Sequence, residues 1–443
     1  MNFKKLFESA SQAGITDMEV YLVEDENFSC KVFEQEIDSY SVSTTKGLSL
    51  RGLYQGKMGY TYTENVDDSE IDFLIKGVIH NASIIENDDK EEIYEGCANY
   101  TTLDLYHPEL EEISAAEKIN FLKSVESICL NLDSRVKSVN YCLFANETRH
   151  EILKNSKGLD LQQKRNYAYA YVSVLVTEND ENKTYASIIF DADFTKYEPK
   201  SLAKKVVTGA LDQLGSIKIK SGSFPVLLKN TVAAQILEAM SESFSAENVQ
   251  KDLSNLKGKL NEEIASPLLN IVDDPHLKKG MGSASFDGEG VATFPKEVIA
   301  NGVLKTYLHS LATAKAFGVA PTGNGFRASF KSNLTISPSN MYIKPGESTF
   351  DKLVGVIQNG IYITDVQGLH AGLNTISGDF SLSARGFLIK DGSLQTPVDE
   401  ITIADNFFSV LQKIKGIGND LEFEASPVGA PCLWIKSLTV SGE

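Results

Sequence analysis

The chain has few of the residues that hold metal ions or form disulfides. Its 443 residues include five cysteines without a CxxC pair and six histidines, no two of which lie within ten residues of each other. No HExxH motif, in which two imidazoles on one helix face bind zinc, is present. A metal site built from a short motif is therefore excluded, while one assembled from distant residues stays open. The odd, sparse cysteines favour reduced thiols in a cytoplasmic protein.

Long apolar runs and dense basic runs are also missing. No stretch of 18 apolar residues occurs, and the first residues, MNFKKLFESASQAG, lack the apolar core of a signal peptide, so we expect no membrane association. With a net charge of −18 and only isolated lysine pairs, the chain is not expected to bind nucleic acid directly. Hydrophobic residues make up 42% of the chain, which predicts buried cores in about two to four structural units.

Residues 1–112 form the first predicted unit, in the order helix, strands, helix. Apolar residues at helical spacing near the start predict an amphipathic helix. Five short strands are predicted over residues 18–62, with Gly47 and Gly56 as breaks between some of them. A second helix follows, and the unit ends in an irregular acidic connector over residues 86–112.

Residues 113–220 repeat this order as a second predicted unit. Ser114 and Glu117 form a capping box, in which each side chain satisfies a free backbone N–H at the start of a helix. Strands are predicted over residues 136–190, and a closing helix over residues 199–214. The repeated order suggests an old duplication.

Residues 221–443 form the third predicted unit, which is mostly antiparallel β-structure after a helix over residues 231–246. Two Asx-Gly pairs predict tight hairpin turns, since these residues tolerate the positive φ that such turns require: Asn301-Gly302 and Asp391-Gly392. Replacing Gly302 by valine is expected to cost about 1–3 kcal/mol of stability through backbone strain. The predicted fold class is therefore α+β, with two helix–strands–helix units before a β-rich C-terminal domain.

The segment GLHAGLNTISGDFSLSAR, residues 368–385, concentrates His, Ser, Asp and Arg between two strand-like runs. Ser377, His370 and Asp379 suggest a catalytic triad, but a loop is favoured because such near neighbours rarely reach the required geometry and no GxSxG turn is present.

The acidic pair Asp273-Asp274 also has two interpretations. A solvated strand end is favoured over a cation site.

Several ordered motifs together resemble the TldD/PmbA family over almost the whole chain. The most specific ones lie in the C-terminal half: VDDP (272–275), GSASFDGEGVAT (282–293), GLHAGLNTISGDFS (368–381) and SPVGAPCLWI (426–435). TldD-like members of this family resemble zinc peptidases with an HExxxH helix and a late Cys ligand. PmbA-like members, also called TldE, lack these ligands and form the partner subunit.

The motif helix assigns this chain to the PmbA/TldE-like branch. The resemblance places Leu237 and Glu242 at the two histidine positions and Glu238 at the position of the catalytic base. Leucine has no lone pair to donate, and one carboxylate cannot replace a three-ligand zinc site. Cys432 lies after the SPVGAP motif and does not match the ligand position, so Glu238 is interpreted as a surface carboxylate.

The resemblance implies a non-catalytic subunit of a TldD/TldE-type zinc metallopeptidase complex that acts on unfolded or modified peptides. The chain itself would need no cofactor, and zinc is expected in a TldD-like partner. Two alternatives stay open: a homodimeric metallopeptidase with an unrecognised metal site, and a non-proteolytic modulator of DNA gyrase or of toxin systems. The sequence leaves undecided whether the chain has activity of its own, which peptide is the substrate and whether it forms homo- or hetero-oligomers.

Residues of the 368–385 segment are the predicted substrate or partner surface. His370 and Arg385 are candidates for contacting a peptide carboxylate, because Arg donates two parallel hydrogen bonds. A purely structural role in the turn or the sheet is the alternative for both. The full predicted set is Gly368, His370, Gly372, Asn374, Gly378, Asp379 and Arg385.

Overall fold

In the computed structural model, residues 1–86 and 91–443 are described, so residues 87–90 of the predicted connector lie outside the described part. The N-terminal half alternates helices with long strands. In chain order its elements are α1 (Phe3–Gln12), β1 (Ile15–Phe33), β2 (Glu36–Tyr54), β3 (Lys57–Thr63), α2 (Ile71–Ser83), α3 (Glu109–Glu112), α4 (Ala115–Leu132), β4 (Val136–Asn155), β5 (Asp160–Glu178), β6 (Glu181–Asp191) and α5 (Pro199–Leu211).

All six N-terminal strands form one antiparallel sheet in the order β3-β2-β1-β4-β5-β6. Both predicted helix–strands–helix units contribute to this sheet, which is continuous because β1 pairs with β4 from Glu19↔Asn155 to Lys31↔Leu143. Helices α1 and α2 pack on β1 and β2, and α4 and α5 pack on β4 and β5, which buries one face of the sheet in two apolar clusters.

Local signals set the ends of several helices as predicted. Ser114 accepts a hydrogen bond from the backbone N–H of Glu117, and the Glu117 side chain accepts one from the backbone N–H of Ser114, so the predicted capping box is confirmed. Pro199 stands at the first turn of α5, where the missing N–H costs no hydrogen bond.

The prediction of five short strands over residues 18–62 is wrong. Two long strands and one shorter strand occupy this region, and Gly47 lies inside β2. A Cβ on Gly47 would lie 2.3 Å from the Phe330 ring, so this glycine allows close packing and does not mark a turn.

The actual turn between β1 and β2 is formed by Glu34 and Gln35, with φ angles of 51° and 63°. The buried carboxylate of Glu126 on α4 accepts hydrogen bonds from the backbone N–H of Glu34 at 2.8 Å and of Gln35 at 2.7 Å. A distant side chain therefore stabilises a turn that lacks the usual Gly or Asn.

The C-terminal half consists of short helices and many strands. Its elements are β7 (Gly222–Leu228), α6 (Asn230–Ala239), α7 (Ala246–Gln250), β8 (Ile271–Asp273), β9 (Lys296–Ala300), β10 (Val303–Leu304), α8 (Leu311–Phe317), β11 (Gly325–Phe326), β12 (Thr335–Ile336), β13 (Met341–Ile343), α9 (Phe350–Ile357), β14 (Gly360–Gln367), α10 (Leu369–Gly372), β15 (Asp379–Lys390), β16 (Ser393–Asn406), α11 (Phe407–Gln412), β17 (Ile414–Ile417), β18 (Val428–Gly429) and β19 (Leu433–Ser441).

Two larger sheets organise these strands, in the orders β10-β9-β8-β13-β18 and β16-β15-β14-β7-β19-β17. Additional pairing of β16 with β19 closes the second sheet on itself. Only the pairs β13–β18 and β14–β7 are parallel among the strand pairs of the described residues. The predicted α+β class, with a largely antiparallel C-terminal half, is confirmed. No helix in the described ranges is long and apolar enough to cross a membrane.

The C-terminal half covers the face of the N-terminal sheet that the helices leave open. All six residues 18–23 of β1 are buried, because helices lie on one side and C-terminal residues on the other. An apolar cluster at this junction joins Tyr21 and Leu153 of the sheet to Phe286 and Phe330.

A network of buried charges lies beside that apolar cluster. Glu19 of β1 accepts hydrogen bonds through Oε1 from Arg51 at 3.0 Å and from Arg327 at 2.7 Å. Burial alone would raise the pKa of Glu19, but the two guanidinium groups bring it below its ordinary value. Arg327 comes from the C-terminal half, so this contact joins the two halves of the protein.

The acidic pair at Asp273 is another place where the sequence interpretation is wrong. Asp273 has no exposed surface. It forms an ion pair with Lys296 at 3.0 Å and accepts a hydrogen bond from the backbone N–H of Ser339 at 2.7 Å. These partners are distant in sequence, so the predicted solvated strand end is instead a buried structural carboxylate.

Both predicted Asx-Gly hairpins are confirmed, and Gly302 is now expected to be less replaceable than the sequence indicates. Its φ is 80°, and a Cβ there would lie 2.4 Å from the Ala265 carbonyl oxygen. Gly302→Val should lower the free energy of unfolding by about 3 kcal/mol or more, because a steric clash adds to the backbone strain.

Gly56→Val is the matched control, since Gly56 has a φ of 78° but no atom within 4 Å of the position that a Cβ would take. Only strain applies there, so a loss of about 1–2 kcal/mol is expected. Urea unfolding of both variants measures the difference, and equal losses would contradict the steric account.

Candidate functional site

A groove separates the edge of the N-terminal sheet from the closed C-terminal sheet. It has a volume of about 530 Å³. Strand β6 forms one wall, strands β14 and β15 form the other, and the beginning of α6 lies at one end. Its polar lining includes Ser173, Thr184, Ser187, Lys229, Thr231, Gln235, Asp365, Arg385 and Glu424.

Arg385, one of the predicted site residues, spans this groove. Its guanidinium forms an ion pair with Asp365 on β14 at 2.9 Å and donates a hydrogen bond to the Thr184 carbonyl on β6 at 3.3 Å. The side chain is partly exposed, so one of its faces is accessible from the groove. Asp365 thereby orients a cation at the boundary between the two halves.

Strand β6 presents a free edge to the groove. It pairs with β5 on one side and is the last strand of its sheet on the other. The Thr184 carbonyl points away from β5, toward Arg385, and backbone groups of alternate residues share this direction in an antiparallel strand. Ala186 and Ile188 therefore direct their backbone donors and acceptors into the groove, where no described residue pairs with them.

Two further polar groups in the lining lack partners among the described residues. Ser187 is 3% exposed, and its buried hydroxyl makes no hydrogen bond. Lys229, just before α6, is half-buried and forms no ion pair within the described ranges. Together with the free edge, these groups provide binding capacity that the protein itself leaves unused.

This arrangement suits an extended peptide. Main-chain hydrogen bonds to a free strand edge do not depend on the peptide's side chains, and cations at one end can pair with a carboxylate. Arg385 and Lys229 supply the positive charges, and Glu424 and Asp365 supply negative ones. The groove therefore has the chemistry for binding and orienting a peptide.

The predicted motif helix lies next to the groove but is shorter than the sequence indicates. Helix α6 ends at Ala239, a 3-10 turn covers Ser241–Phe244 and α7 begins at Ala246, so the predicted continuous helix over residues 231–246 is wrong. Ser243 ties the turn to the neighbouring loop by donating a hydrogen bond to the Thr375 carbonyl.

The three motif positions do not converge on one point. Leu237 is 1% exposed and belongs to the main apolar core of the C-terminal half. Glu238 and Glu242 are exposed to solvent. A zinc ion does not fit these residues, because one ligand position is an apolar side chain packed in the core.

No other group of residues in the described ranges offers an alternative. Among them, no cluster of three or more His, Cys, Asp or Glu side chains has the arrangement that a metal ion needs. Cys432 is buried, and burial raises the pKa of its thiol, which disfavours the thiolate that binds metals.

The remaining predicted site residues lie on the loop that follows β14. Asn374 accepts hydrogen bonds from the backbone N–H groups of Ile376 and Ser377, at 2.9 and 3.0 Å. Asp379 accepts from the Ser377 hydroxyl at 2.9 Å and from the Asn406 amide at 2.9 Å. These two side chains therefore stabilise the loop.

His370 differs from its neighbours on the loop. It lies on α10, is exposed and makes no side-chain hydrogen bond within the described residues. The Ser377 hydroxyl bonds to Asp379 directly, so no Ser–His–Asp relay is assembled here. His370 stays available for a partner or a ligand.

The three predicted glycines shape the same loop. Gly368 and Gly378 have φ angles of 89° and 84°, which other residues rarely adopt. A Cβ on Gly372 would lie 2.3 Å from the Ser381 carbonyl oxygen, so this position requires close backbone approach.

The sequence analysis singles out Arg385 as a candidate but does not single out the residues that face it in the structure. Thr184, Ser187 and Lys229 have no motif of their own, and their role depends on β6 being the last strand of its sheet. The sequence predicts a strand in this region without showing which edge of the sheet it occupies.

Comparison with known families shows that the chain is of a metallopeptidase-related class. Three family models match in order: PmbA/TldA metallopeptidase domain 1 over residues 18–82, the central domain over residues 108–214 and the C-terminal domain over residues 221–442. The chain belongs to the PmbA/TldD family, which confirms the resemblance inferred from its motifs.

Relatives from three organisms are similar over almost their whole length. A Thermotoga maritima MSB8 protein, described as a candidate modulator of a DNA gyrase, is 32% identical with a TM-score of 0.92, and the match covers 99% of both chains. TldE from Thermococcus kodakarensis has a TM-score of 0.91 at 20% identity, covering 99% of this chain and 100% of that one, which shows the shared fold. The metalloprotease PmbA of Escherichia coli O157:H7 is 26% identical over 395 residues, covering 87% of this chain and 84% of its own.

Proposed function

We propose that this chain is a non-catalytic subunit of a metallopeptidase complex that acts on unfolded or modified peptides. A TldD-like partner holds the zinc ion and breaks the peptide bond. This chain contributes a wall of the chamber and binds the extended peptide beside the partner's active site.

The position of Leu237 carries this proposal. Its side chain lies in the apolar core where the family motif places the first histidine. A histidine there would bury an imidazole without a polar partner. This position therefore differs from a zinc-binding motif both in its apolar surroundings and in lacking a metal ligand. The exposed positions of Glu238 and Glu242 agree with this interpretation.

The groove and the loop supply the proposed contacts. The β6 edge, Arg385 and Lys229 would bind the peptide backbone and a carboxylate, while exposed His370 and its loop would face the partner subunit. The loop and the motif helix are adjacent, because α10 packs against α6. One continuous surface could thus serve both the substrate and the partner.

Reconstitution tests the proposal directly. The chain alone should hydrolyse an unstructured peptide no faster than buffer, and a mixture with a purified TldD-like protein should be active and sensitive to chelation. If the chain alone is active, or if the partner alone is as active as the mixture, the proposal is wrong.

Arg385→Gln is expected to weaken peptide binding in the reconstituted complex. Loss of a charge-assisted contact should raise KM about 5–10-fold and leave kcat within about twofold, since Arg385 does not touch the reacting bond. Peptide titrations of the mixed complex give both constants.

Lys344→Gln is the matched control, because Lys344 also pairs with one carboxylate, Glu297, at 2.8 Å and lies outside the groove lining. Its KM should equal that of the wild-type complex. An unchanged KM for Arg385→Gln would show that Arg385 does not contact the peptide. A raised KM for both variants would indicate a general effect of lost positive charge.

A further inference from the structure

A second cavity, the junction cavity, lies between the N-terminal sheet and the C-terminal half. Its volume is about 250 Å³, and it shares no lining residue with the groove. Strands β4 and β5 form most of one wall, and residues from the segments 281–288 and 326–328 form the other. Sites for drug-sized ligands usually have volumes of about 300–1,000 Å³. The junction cavity therefore suits a smaller molecule, about the size of one amino acid.

The strand wall of the junction cavity is lined with charged side chains. Side chains on one face of a strand alternate, so Glu147, Arg149 and Glu151 of β4 lie on the same face of the sheet. On β5, Arg165 lies opposite Arg149 and Tyr167 lies opposite Glu147. All five side chains line the cavity, so the sheet register places a mixed group of cations and anions in one small space.

Most charges around the junction cavity already have partners within the chain. Glu151 accepts a hydrogen bond from Arg149 at 2.9 Å, and Arg327 donates one to Glu19 at 2.7 Å. Both carboxyl oxygens of Asp287 accept hydrogen bonds from backbone N–H groups, and burial raises its pKa to about 8, so it carries little charge at neutral pH. These groups contribute little unused binding capacity.

Arg165 and Glu147 are the exceptions. Arg165 reaches only the Met281 carbonyl at 3.4 Å and the Glu151 carboxylate at 3.6 Å, which is beyond hydrogen-bond distance. Its Nε is buried with no hydrogen-bond partner among the described residues, while 21% of the whole side chain is exposed. Glu147 accepts a hydrogen bond from the Tyr167 hydroxyl at 3.0 Å and forms no ion pair within residues 1–86 and 91–443. One guanidinium and one carboxylate therefore have unused capacity.

These two groups are close enough to bind both charges of one small molecule. Glu147 is diagonal to Arg165 on paired strands, since it lies opposite the residue two positions after Arg165. Diagonal neighbours of this kind are about 7–8 Å apart, and both side chains are long. A guanidinium can donate two parallel hydrogen bonds to a carboxylate, and a carboxylate accepts from an ammonium group. An α-amino acid carries a carboxylate and an ammonium group on the same carbon.

The opposite wall of the junction cavity is mainly apolar. Phe286 there also belongs to the apolar cluster that joins the two halves. Burying an apolar side chain against such a surface is favourable. The apolar lining residues are Met281, Ala284, Phe286, Phe326 and Ala328.

We propose that the junction cavity binds a free α-amino acid with an apolar side chain. Its carboxylate pairs with Arg165, its ammonium group pairs with Glu147 and its side chain packs against the apolar wall. This inference does not rest on the proposed function, because the groove and the junction cavity have separate linings. The last residue of a peptide offers the same carboxylate without the ammonium group, so the two sources can be distinguished by experiment.

Calorimetric titration of the full chain with L-leucine tests the proposal. One leucine should bind per chain with a Kd of about 0.1 mM. L-leucinamide lacks the carboxylate and N-acetyl-L-leucine lacks the ammonium group, so each should bind at least about tenfold more weakly. Absence of leucine binding at about 10 mM, or equal affinity for all three compounds, would overturn the proposal. If N-acetyl-L-leucine binds as tightly as leucine, the cavity holds a peptide terminus and the assignment to a free amino acid is wrong.

Two variants test the positions of the charges. Arg165→Gln should weaken leucine binding at least about tenfold, and Glu147→Gln should weaken binding of leucine but not of N-acetyl-L-leucine. Arg135→Gln is the matched control, because Arg135 pairs with Asp133 at 2.9 Å outside the cavity lining, and it should bind leucine normally.

Circular dichroism should first show that all three variants are folded. Unchanged leucine affinity in Arg165→Gln, or equal losses in Arg165→Gln and Arg135→Gln, would show that leucine does not bind through Arg165. The comparison of leucine with its two derivatives uses the wild-type chain, so it decides the proposal even if a variant fails to fold.

Discussion

Replacing Arg327 by methionine is expected to lower the free energy of unfolding by about 3–5 kcal/mol, the largest loss predicted for a single charge in this protein. Arg327 donates to Glu19 at 2.7 Å, and the Glu19 side chain has no exposed surface. Methionine preserves most of the side-chain volume but leaves Glu19 with Arg51 alone. The buried Glu19 carboxylate would then keep only one of its two cationic partners, and the two halves of the protein would lose the Arg327–Glu19 ion pair that joins them.

Lys331→Met provides the comparison, because Lys331 also joins the two halves through an ion pair, with Glu64, but its side chain is 46% exposed. Exposed ion pairs contribute about 0–1 kcal/mol, so this variant should be nearly as stable as the wild type. Equilibrium urea unfolding measures both. Similar small losses for the two variants would show that the buried network contributes little to stability.

Stability is expected to fall by about 1–2 kcal/mol as pH rises from about 6.5 to 8. Burial, and then the neighbouring Glu289 carboxylate, raise the pKa of Asp287 to about 8. Burial also raises the pKa of Glu289, against the opposing effect of Arg51. In this range the folded state binds a proton that the unfolded state has released, so each rise in pH favours unfolding.

His309 makes the free energy of unfolding rise with pH, opposite to the effect of Asp287, but only at lower pH. Burial lowers its pKa to about 4, so it costs stability only where the unfolded chain is protonated, below about pH 6.5. Above about pH 6.5, the fall in the free energy of unfolding with rising pH therefore comes from Asp287 and Glu289. Glu19, whose pKa is lowered, stays ionised in both states and adds no slope there.

Urea unfolding at several pH values measures this slope, and Asp287→Asn should reduce it. Asparagine removes the titrating proton at a position whose carboxylate accepts from the backbone N–H groups of Glu289, Val291 and Gly325. The variant will lose some hydrogen bonding at every pH, so its free energy of unfolding will be lower throughout. The test is therefore how steeply the free energy of unfolding changes with pH, and not its value at any one pH. A wild-type stability that is flat or rising between pH 6.5 and 8 would contradict the raised pKa of Asp287.

Features set by neighbouring residues were predictable from the sequence. The Ser114–Glu117 capping box and the Asn301-Gly302 turn depend on side chains within four positions of each other, so local chemistry determines them. The order of helices and strands follows from apolar periodicity for the same reason.

Features set by distant residues were not predictable in this way. Gly47 resembles a strand break, but its role is to admit the ring of Phe330 from the other half of the chain. Asp273 resembles a solvated strand end, but Lys296 and Ser339 surround it. In both cases the deciding partner approaches only in the folded protein.

The candidate site also combines features set by neighbouring residues with features set by distant ones. Arg385 and the 368–385 segment stand out in the sequence, and the structure explains Asn374, Gly378 and Asp379 as parts of a self-supporting loop. The groove itself required the packing of β6 against β14 and β15, which brings Thr184 to Arg385 across 201 positions of sequence. No local pattern records that contact.

Zinc content of the purified chain is the most direct test of its proposed non-catalytic role. After extensive dialysis without chelator, the chain should retain less than about one tenth of a zinc ion per molecule, because Leu237 supplies no ligand and a structural or catalytic site needs at least three. A TldD-like partner treated identically should retain about one. Retention of about one zinc ion by this chain, with peptidase activity that chelation abolishes, would contradict the account.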